Sequence, residues 1–550
     1  MNDGDHLRYD RDRVRVVREP WLGGDVLSYS PRPRDVLDVL DLAVRRHRDA
    51  VAVVDAATGA QRSVARLADD VVATAQGLLA DGLQPGEGVG IAAVNSGDHL
   101  VQLLACAAAG AVAVGLSSRS AVPQWRFQLE HSGCRFLLHD DAHAGAAREA
   151  GDGLAGTTVR PLVTQAGAPG DFSRWAAART PAGPTTAYQV VYTSGSTGRP
   201  KASQVVHRAS VHSAVAYDRL LRLQPGMSTG VLFHLGYISA MHAHVLPALL
   251  SGARVVMLPT GSPRTWVEQL AAFDVAWAYA VPSWWLLALR EPGLRAEVLP
   301  HLRLAGAGGS PFPDVLRDGL AERLPGTELL NVYGLSETHS PATVLRGRDL
   351  WRHAGAAGRG LEVVEVEVRD ETGTRVAEGV AGEVWLRSSL VTTGYAGDPV
   401  ASAAAVVDGA LRTGDVGVLE PGKAGTTEEQ AATAPVLRLL DRVKDLVNRA
   451  GTKVYSAEVE RVLGEHPALA ESACVAAPDA RSGETVAVFL VLAASVDRPS
   501  DGELRAFVRE RLGVAAVPSL LRWVDALPRG GTGKTDKQSL RARLTVPQQA

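Results

Sequence analysis

Apolar residues recur along the 550-residue chain with two different periods, and the two periods alternate. Val36, Val39, Leu40, Ala43 and Val44 share one face of a helix, as do Leu67, Val71, Thr74 and Leu78, with Gly82 and Pro85-Gly86 stopping the second. Residues 89–94, 112–116 and 135–139 are short apolar runs of strand character. Helices alternating with short buried strands predict α/β layers. Residues 1–30 carry little pattern, and residues 141–185, rich in Ala, Gly, Thr and Pro, read as surface linkage.

The alternation resumes beyond residue 200. Residues 230–234 are strand-like and 253–258 read as a second buried strand, and the segment 276–282 precedes Trp284-Trp285. Residues 302–304 lead into a Gly-rich turn at 305–311, a helix over 313–324 and a strand at 328–333. From about residue 361 the texture changes to every-other-residue alternation, as in 363–368 and 382–387, which predicts an antiparallel sheet or small barrel. Residues 421–435 form a polar low-complexity loop, and a compact tail with helix and strand patterns follows Arg442. The expected architecture is a large N-terminal domain of layered α/β subdomains plus a small antiparallel barrel, and a small mobile α+β C-terminal domain.

Composition narrows the function classes. The chain is 46% hydrophobic and 21% charged, with a net charge of -3, so no bulk electrostatic attraction to nucleic acid or anionic membrane is expected. Cys106, Cys134 and Cys474 are far apart with no metal-ligand spacing, as in a reducing compartment. The N-terminus lacks a signal-peptide core. The longest apolar run, 103–116, is too short for a membrane span and reads as a buried helix. A cytoplasmic protein is expected.

One stretch carries candidate chemistry by itself. The strand-like residues 189–192 run into Thr193, Ser194, Gly195, Ser196, Thr197 and Gly198, then Arg199-Pro200-Lys201. Glycines let backbone N–H groups turn inward around an anion, hydroxyls add donors and a lysine adds countercharge, so this is a phosphate cradle in chemical terms. It lacks the Walker A spacing, and its composition equally suits a flexible surface loop.

Five elements in order carry more than one. YTSGSTGRPK (192–201), NVYGLSET (331–338), RTGD (412–415), DRVKDLVNRAGTKVYSAEVE (441–460) and PRGGTGKTDK (528–537) together resemble the superfamily of acyl-CoA synthetases, stand-alone adenylation domains and firefly-type luciferases. The resemblance spans about residues 35 to 540, and acid–CoA ligases are closest in pattern. It implies that ATP and Mg²⁺ serve adenylation of a small-molecule carboxylic acid, followed by transfer to CoA. A carrier-protein phosphopantetheine or an amine is the alternative acceptor.

The resemblance also assigns roles. The loop from Thr193 to Gly198, with Lys201, would hold the β,γ-phosphates. Glu337 would bind Mg²⁺ and Thr338 the α-phosphate, although Ser336-Glu337-Thr338 after a strand also suits helix capping. Asp415 would bind the ribose hydroxyls with Arg442 as the second contact; a lone TGD also suits a β-turn. Gly309, Ser310, Pro311, Asn331, Tyr333 and Gly334 occupy the places of the adenine pocket. Lys534 would be the catalytic lysine, bridging carboxylate and α-phosphate. Domains at 1–441 and 442–550 would rotate about a hinge at Lys444, and Gly451 would lie on the loop facing the pantetheine tunnel or in an ordinary turn.

His234 discriminates among substrates. Relatives that activate amino acids usually carry an aspartate near this place, whereas this chain has His234-Leu235-Gly236. His234 resembles the histidine of acyl-CoA synthetases that borders the acyl pocket and contacts the carboxylate; alone it would read as a core histidine. Tyr237, Ile238, Trp284, Trp285, Ala307, Gly308 and Leu335 complete an apolar and aromatic candidate pocket, suited to an aryl, cyclic or medium-chain acid. The tryptophan pair also suits an ordinary core. Two features depart from the family pattern: Ala202-Ser203 replace the glycine common after the loop lysine, and the 421–435 loop lengthens the link between Asp415 and Arg442.

Overall fold

The computed structural model describes residues 9–117, 120–162, 171–193, 200–259, 261–422, 434–479, 481–529 and 535–545. Two mainly parallel sheets dominate. The first has six strands in the spatial order Lys201–Val206, Ala187–Thr193, Val112–Gly115, Gly88–Ala92, Cys134–His139, Thr158–Pro161. The second has nine, with a parallel centre formed by Glu328–Tyr333, Leu304–Gly308, Val275–Ala280, Ser228–Val231, Arg254–Met257 and Val51–Asp55. Helices cover these sheets, as buried parallel strands require. Among them Val36–His47 is capped by the Asp35 side chain, and Val64–Ala80 by Ser63.

A third, antiparallel sheet begins where the two-residue alternation sets in, with Val364–Arg369, Gly382–Ser388, Ala410–Glu420 and Val436–Arg442. The last strand ends at Arg442, and a separate sheet starts at Val447–Arg449 and takes in Leu469–Asp479 and Gly483–Leu492. The fold is thus mixed α/β with an antiparallel sheet and a small α+β unit at its end. Among the described residues no helix is long and apolar enough to cross a membrane. All three cysteines are buried and free.

Four sequence expectations change. The apolar run 103–116 is not one helix: Gly97–Ala108 stops before Gly110, whose φ of +71° turns the chain into the strand Val112–Gly115. Residues 141–185 contain the helices Ala144–Gly151 and Phe172–Ala178 and the strand Thr158–Pro161. The N-terminal stretch forms a hairpin, Arg15–Trp21 against Gly24–Ser30, closed by Leu22 and Gly23 at φ +50° and +85°. Two positive φ values in a two-residue turn match the right-handed twist of the strands it joins.

The fourth correction matters for the site. The first half of the Gly-rich segment 305–311 is the strand Leu304–Gly308 and not a turn. Its glycines make room for rings: a Cβ on Gly306 would overlap the Trp277 ring, and one on Gly308 would overlap the Tyr279 hydroxyl. Close ring-to-backbone approach accounts for these two glycines.

Candidate active site

Strand register positions the phosphate-loop ends. Lys201–Val206 runs antiparallel to Ala187–Thr193, so Lys201 stands directly opposite Thr193. The Thr193 hydroxyl donates to the Lys201 carbonyl at 3.5 Å. Ser194, Gly195, Ser196, Thr197 and Gly198 lie outside the described residues, as does Lys534.

Lys201 leads to Glu337 through a residue the sequence reading missed. Its Nζ sits 4.9 Å from the ring centre of Tyr395, a cation–π contact, and the Tyr395 hydroxyl donates a 2.9 Å bond to Glu337 Oε1. Burial, and next the Glu337 charge, push the Tyr395 hydroxyl far above its usual range, so it stays a donor. The segment around Tyr395 is stitched to the strand Lys201–Val206: Gln204 N donates to Gly394 O, Ala396 N to Ala202 O, and the Thr392 hydroxyl to Gln204 O. Two groups distant in sequence, the loop lysine and the Glu337 carboxylate, therefore share one support.

Thr338 is placed differently from its neighbour. It is buried, and its Oγ1 accepts from Leu335 N at 3.0 Å while donating to Leu335 O. This hydroxyl closes its own turn, as in the capping reading, and would reach a phosphate only by leaving those bonds.

The nucleoside-binding candidates converge. Tyr333 Oη donates to Asp415 Oδ2 at 2.7 Å, and Arg442 Nε lies 3.3 Å from Asp415 Oδ1. Asp415 and Arg442 face each other because Ala410–Glu420 pairs antiparallel with Val436–Arg442 in that register. The Tyr333 hydroxyl is pushed well up, by burial first and by the Asp415 charge second. Gly309, at φ +82°, starts an exposed turn with Ser310 and Pro311, and Gly334 has no room for a Cβ against the Ser340 carbonyl. Asn331 is buried and donates to Ala356 O at 2.9 Å, which makes it a support of the neighbouring loop.

His234 follows the carboxyl end of the strand Ser228–Val231, where open α/β sheets place their ligands. Its Nε2 bonds the Ala93 carbonyl at 2.9 Å, and its Nδ1 accepts from Gly236 N at 3.0 Å. These partners define a neutral imidazole with the proton on Nε2. Contact with a substrate carboxylate would require Nε2 to release Ala93. Asn95 braces the same loop, donating to Phe233 O and accepting from Leu235 N. His99 packs edge-on to His234 at 5.1 Å and is held down to about 3, chiefly by burial.

The expected pocket residues do not form one wall. Ile238 and Leu335 pack on the sheet face that buries Trp277 and Tyr279. Trp285 and Ala307 are fully buried on the opposite face, with Trp284 packed beside them. Trp285 donates to Gly306 O at 2.8 Å and stacks edge-on to Trp266. The tryptophan pair and Ala307 belong to that second core, on the other side of the sheet from Ile238, Leu335 and the face onto which Gly308 opens. Alternation along Leu304–Gly308 is the reason, since Ala307 and Gly308 point to opposite faces.

Beyond Arg442, the Lys444 carbonyl accepts from Arg541, which also pairs with Asp445. Burial, and then Arg442, hold the Lys444 ammonium below its usual value. Asp441 receives the Ser456 N–H and hydroxyl, and Ser456 in turn receives Lys537 Nζ at 2.8 Å. Gly451, at φ +87°, lies on an exposed hairpin turn.

Residues 40–396 match the family model described as AMP-binding enzyme, and residues 458–534 match the AMP-binding enzyme C-terminal domain. The chain belongs to the AMP-binding enzyme family. It is 30% identical over 491 residues to a feruloyl-CoA synthase of Amycolatopsis sp, covering 88% of this chain and 94% of that one. It is 30% identical to the fatty acid–[acyl-carrier-protein] ligase ScoC of Streptomyces coeruleorubidus, over 86% of this chain and 89% of the relative. The solved amide bond synthetase McbA of Marinactinospora thermotolerans superposes with a TM-score of 0.78 at 28% identity, covering 93% of this chain and all of McbA. The chain is therefore an ATP-dependent adenylate-forming enzyme of the acid–CoA ligase type, with a large N-terminal and a small C-terminal domain.

Proposed function

We propose that this enzyme activates an aryl, cyclic or medium-chain carboxylic acid to its acyl-adenylate and transfers the acyl group to CoA. The carrying observation is the Tyr333–Asp415–Arg442 group, which supports a nucleoside site where the end of the second sheet's strand Glu328–Tyr333 meets the third sheet. The acid end of the reading is supported by the histidine at 234, with no aspartate there to pair an amino-acid ammonium.

In the first half-reaction a carboxylate oxygen bonds to the α-phosphorus of ATP. The bond from that phosphorus to the bridging oxygen breaks, and pyrophosphate leaves with the electron pair. Little covalent chemistry falls to the protein, so positioning and charge neutralisation dominate. Thr193 to Gly198 and Lys201 hold the leaving phosphates, Thr338 contacts the α-phosphate once its hydroxyl turns from Leu335, and Lys534 bridges carboxylate and α-phosphate. Glu337 has one oxygen held by Tyr395 and its other oxygen without a partner among the described residues, which fits a hard cation. Glu337 would hold Mg²⁺ together with ATP oxygens, and that ion, when bound, offsets phosphate charge.

In the second half-reaction the CoA thiolate attacks the adenylate carbonyl, the thioester forms and AMP departs. Rotation of residues 442–550 about Lys444 separates the two steps in this reading, bringing the Gly451 hairpin to the acyl group. A carrier-protein phosphopantetheine or an amine as acceptor is the second reading, favoured by the resemblance to ScoC and McbA. Acid-dependent pyrophosphate release, scored with and without CoA across a carboxylate panel, tests both.

A further inference from the structure

The strand Val275–Ala280 sends Trp277 and Tyr279 to the same face of the sheet, the face of Phe233 and Ile238. The two rings stack at 5.8 Å with their planes 15° apart, and Phe233 meets Tyr279 at 5.4 Å. They lie over the neighbouring strand at its two glycines, Gly306 and Gly308. Register places Tyr279 beside Gly306, yet its hydroxyl is the atom that a Cβ on Gly308 would strike. The side chain therefore leans toward the carboxyl end of the sheet, and its oxygen ends near Gly308 and the Val332 carbonyl, one residue before Tyr333. Behind the rings the face is closed by His244, 6.0 Å from Trp277 and 6.4 Å from Tyr279, and the Trp277 indole N–H is tied to Ala243 O at 2.9 Å.

Tyr279 is 6% exposed, and among the described residues its hydroxyl has no hydrogen-bond partner. Its neighbour Tyr217, equally interior, is bonded to the Ser340 hydroxyl at 2.8 Å. An interior tyrosine whose hydroxyl has no partner among the described residues, at the carboxyl end of a parallel sheet, is suited to pairing a ligand's polar group.

Resting on the acid-activating reading above, we propose that Tyr279 is the specificity residue at the floor of the acyl site. Its ring and Trp277 limit the acid to a short or compact skeleton, and its hydroxyl selects a hydroxyl or oxo group at the end remote from the carboxylate. A site built to pair such a group rejects the analogue that lacks it far more strongly than an apolar site rejects an added methylene.

The test compares kcat/KM for acid-dependent pyrophosphate release by the full chain on matched acids. The pairs are 3-(4-hydroxyphenyl)propanoate against 3-phenylpropanoate, and 4-oxocyclohexanecarboxylate against cyclohexanecarboxylate, with hexadecanoate as the long acid. The unaltered enzyme should favour the polar member of at least one pair by about tenfold or more and leave hexadecanoate unused. Tyr279→Phe keeps the ring and should bring that ratio to within about twofold of unity; because the readout is a ratio within one protein, general loss of activity cancels. Tyr279→Ala should gain on hexadecanoate relative to 3-phenylpropanoate. An unchanged ratio in Tyr279→Phe, or preference for the apolar member in the unaltered enzyme, overturns the inference while leaving acid activation standing. Absence of pyrophosphate release with every carboxylic acid, in a protein that melts cooperatively and binds ATP, overturns acid activation and this inference with it.

Discussion

The Tyr333 hydroxyl donates a 2.7 Å hydrogen bond to Oδ2 of Asp415, whose Oδ1 lies 3.3 Å from Arg442. The carboxylate is thus oriented from both sides before nucleotide arrives. Tyr333→Phe keeps the ring for stacking and deletes the donor. A hydrogen bond to a charged group contributes about 1.5 kcal/mol, so KM for ATP should rise by about tenfold with kcat little changed. Pyrophosphate-exchange kinetics check this, and an unaltered KM would show that Asp415 needs no such support.

Tyr395 connects Lys201 to Glu337. Tyr395→Phe frees Glu337 from its donor without moving the strand pairing around it. Groups that orient a metal ligand typically matter by about tenfold in metal affinity, so the Mg²⁺ concentration for half-maximal pyrophosphate release should rise by about that factor. A Mg²⁺ titration unaffected by the change would separate Tyr395 from the ion.

Lys444 offers a way to separate the half-reactions. Its N–H makes no hydrogen bond among the described residues, so Lys444→Pro removes no donor that the fold uses. The variant should keep adenylation and lose thioester formation, because proline restricts the backbone change a hinge must absorb. Lys534→Ala should abolish adenylate formation, and with it AMP release from acid and ATP, while ATP still binds. Parallel assays of pyrophosphate exchange and CoA-dependent AMP release read both, and equal loss of both steps in Lys444→Pro would contradict alternation.

Acid should destabilise the fold early. Burial holds His99 and His244 down to about 3 and His207 and His242 down to about 4, against an ordinary value of 6.5. Below pH 6.5 the unfolded chain takes up protons that the folded chain refuses, so stability is full above that pH and is lost as pH falls toward 4. Each histidine costs up to about 1.4 kcal/mol per pH unit in that window. Melting temperatures should hold level between pH 7.5 and 6.5 and fall increasingly from pH 6.5 to 5.5, and a profile flat throughout would contradict this account.

The parts of the fold legible from sequence were those encoded locally. The helix expected at 313–324 is Asp314–Arg323, the strand expected at 328–333 is Glu328–Tyr333, and the switch to antiparallel pairing follows residue 361. Long-range pairing was not legible. Gly306 and Gly308 carry a turn's composition but serve to admit rings from the next strand, which no local window reveals. Alternation explains the pocket error, because Ala307 and Gly308 are adjacent in sequence yet face opposite cores. Tyr395 left only the short TGY signal, whereas Asp415, Tyr333 and Arg442 came from motif order and are brought together by the fold.

The most direct measurement of the central claim is pyrophosphate and AMP release across a panel of carboxylic acids, with and without CoA. Pyrophosphate release should depend on the acid, and AMP release with thioester formation should depend on CoA. Acid-dependent pyrophosphate release with no CoA-dependent AMP release would contradict the CoA acceptor, and no acid-dependent release at all would contradict carboxylate activation.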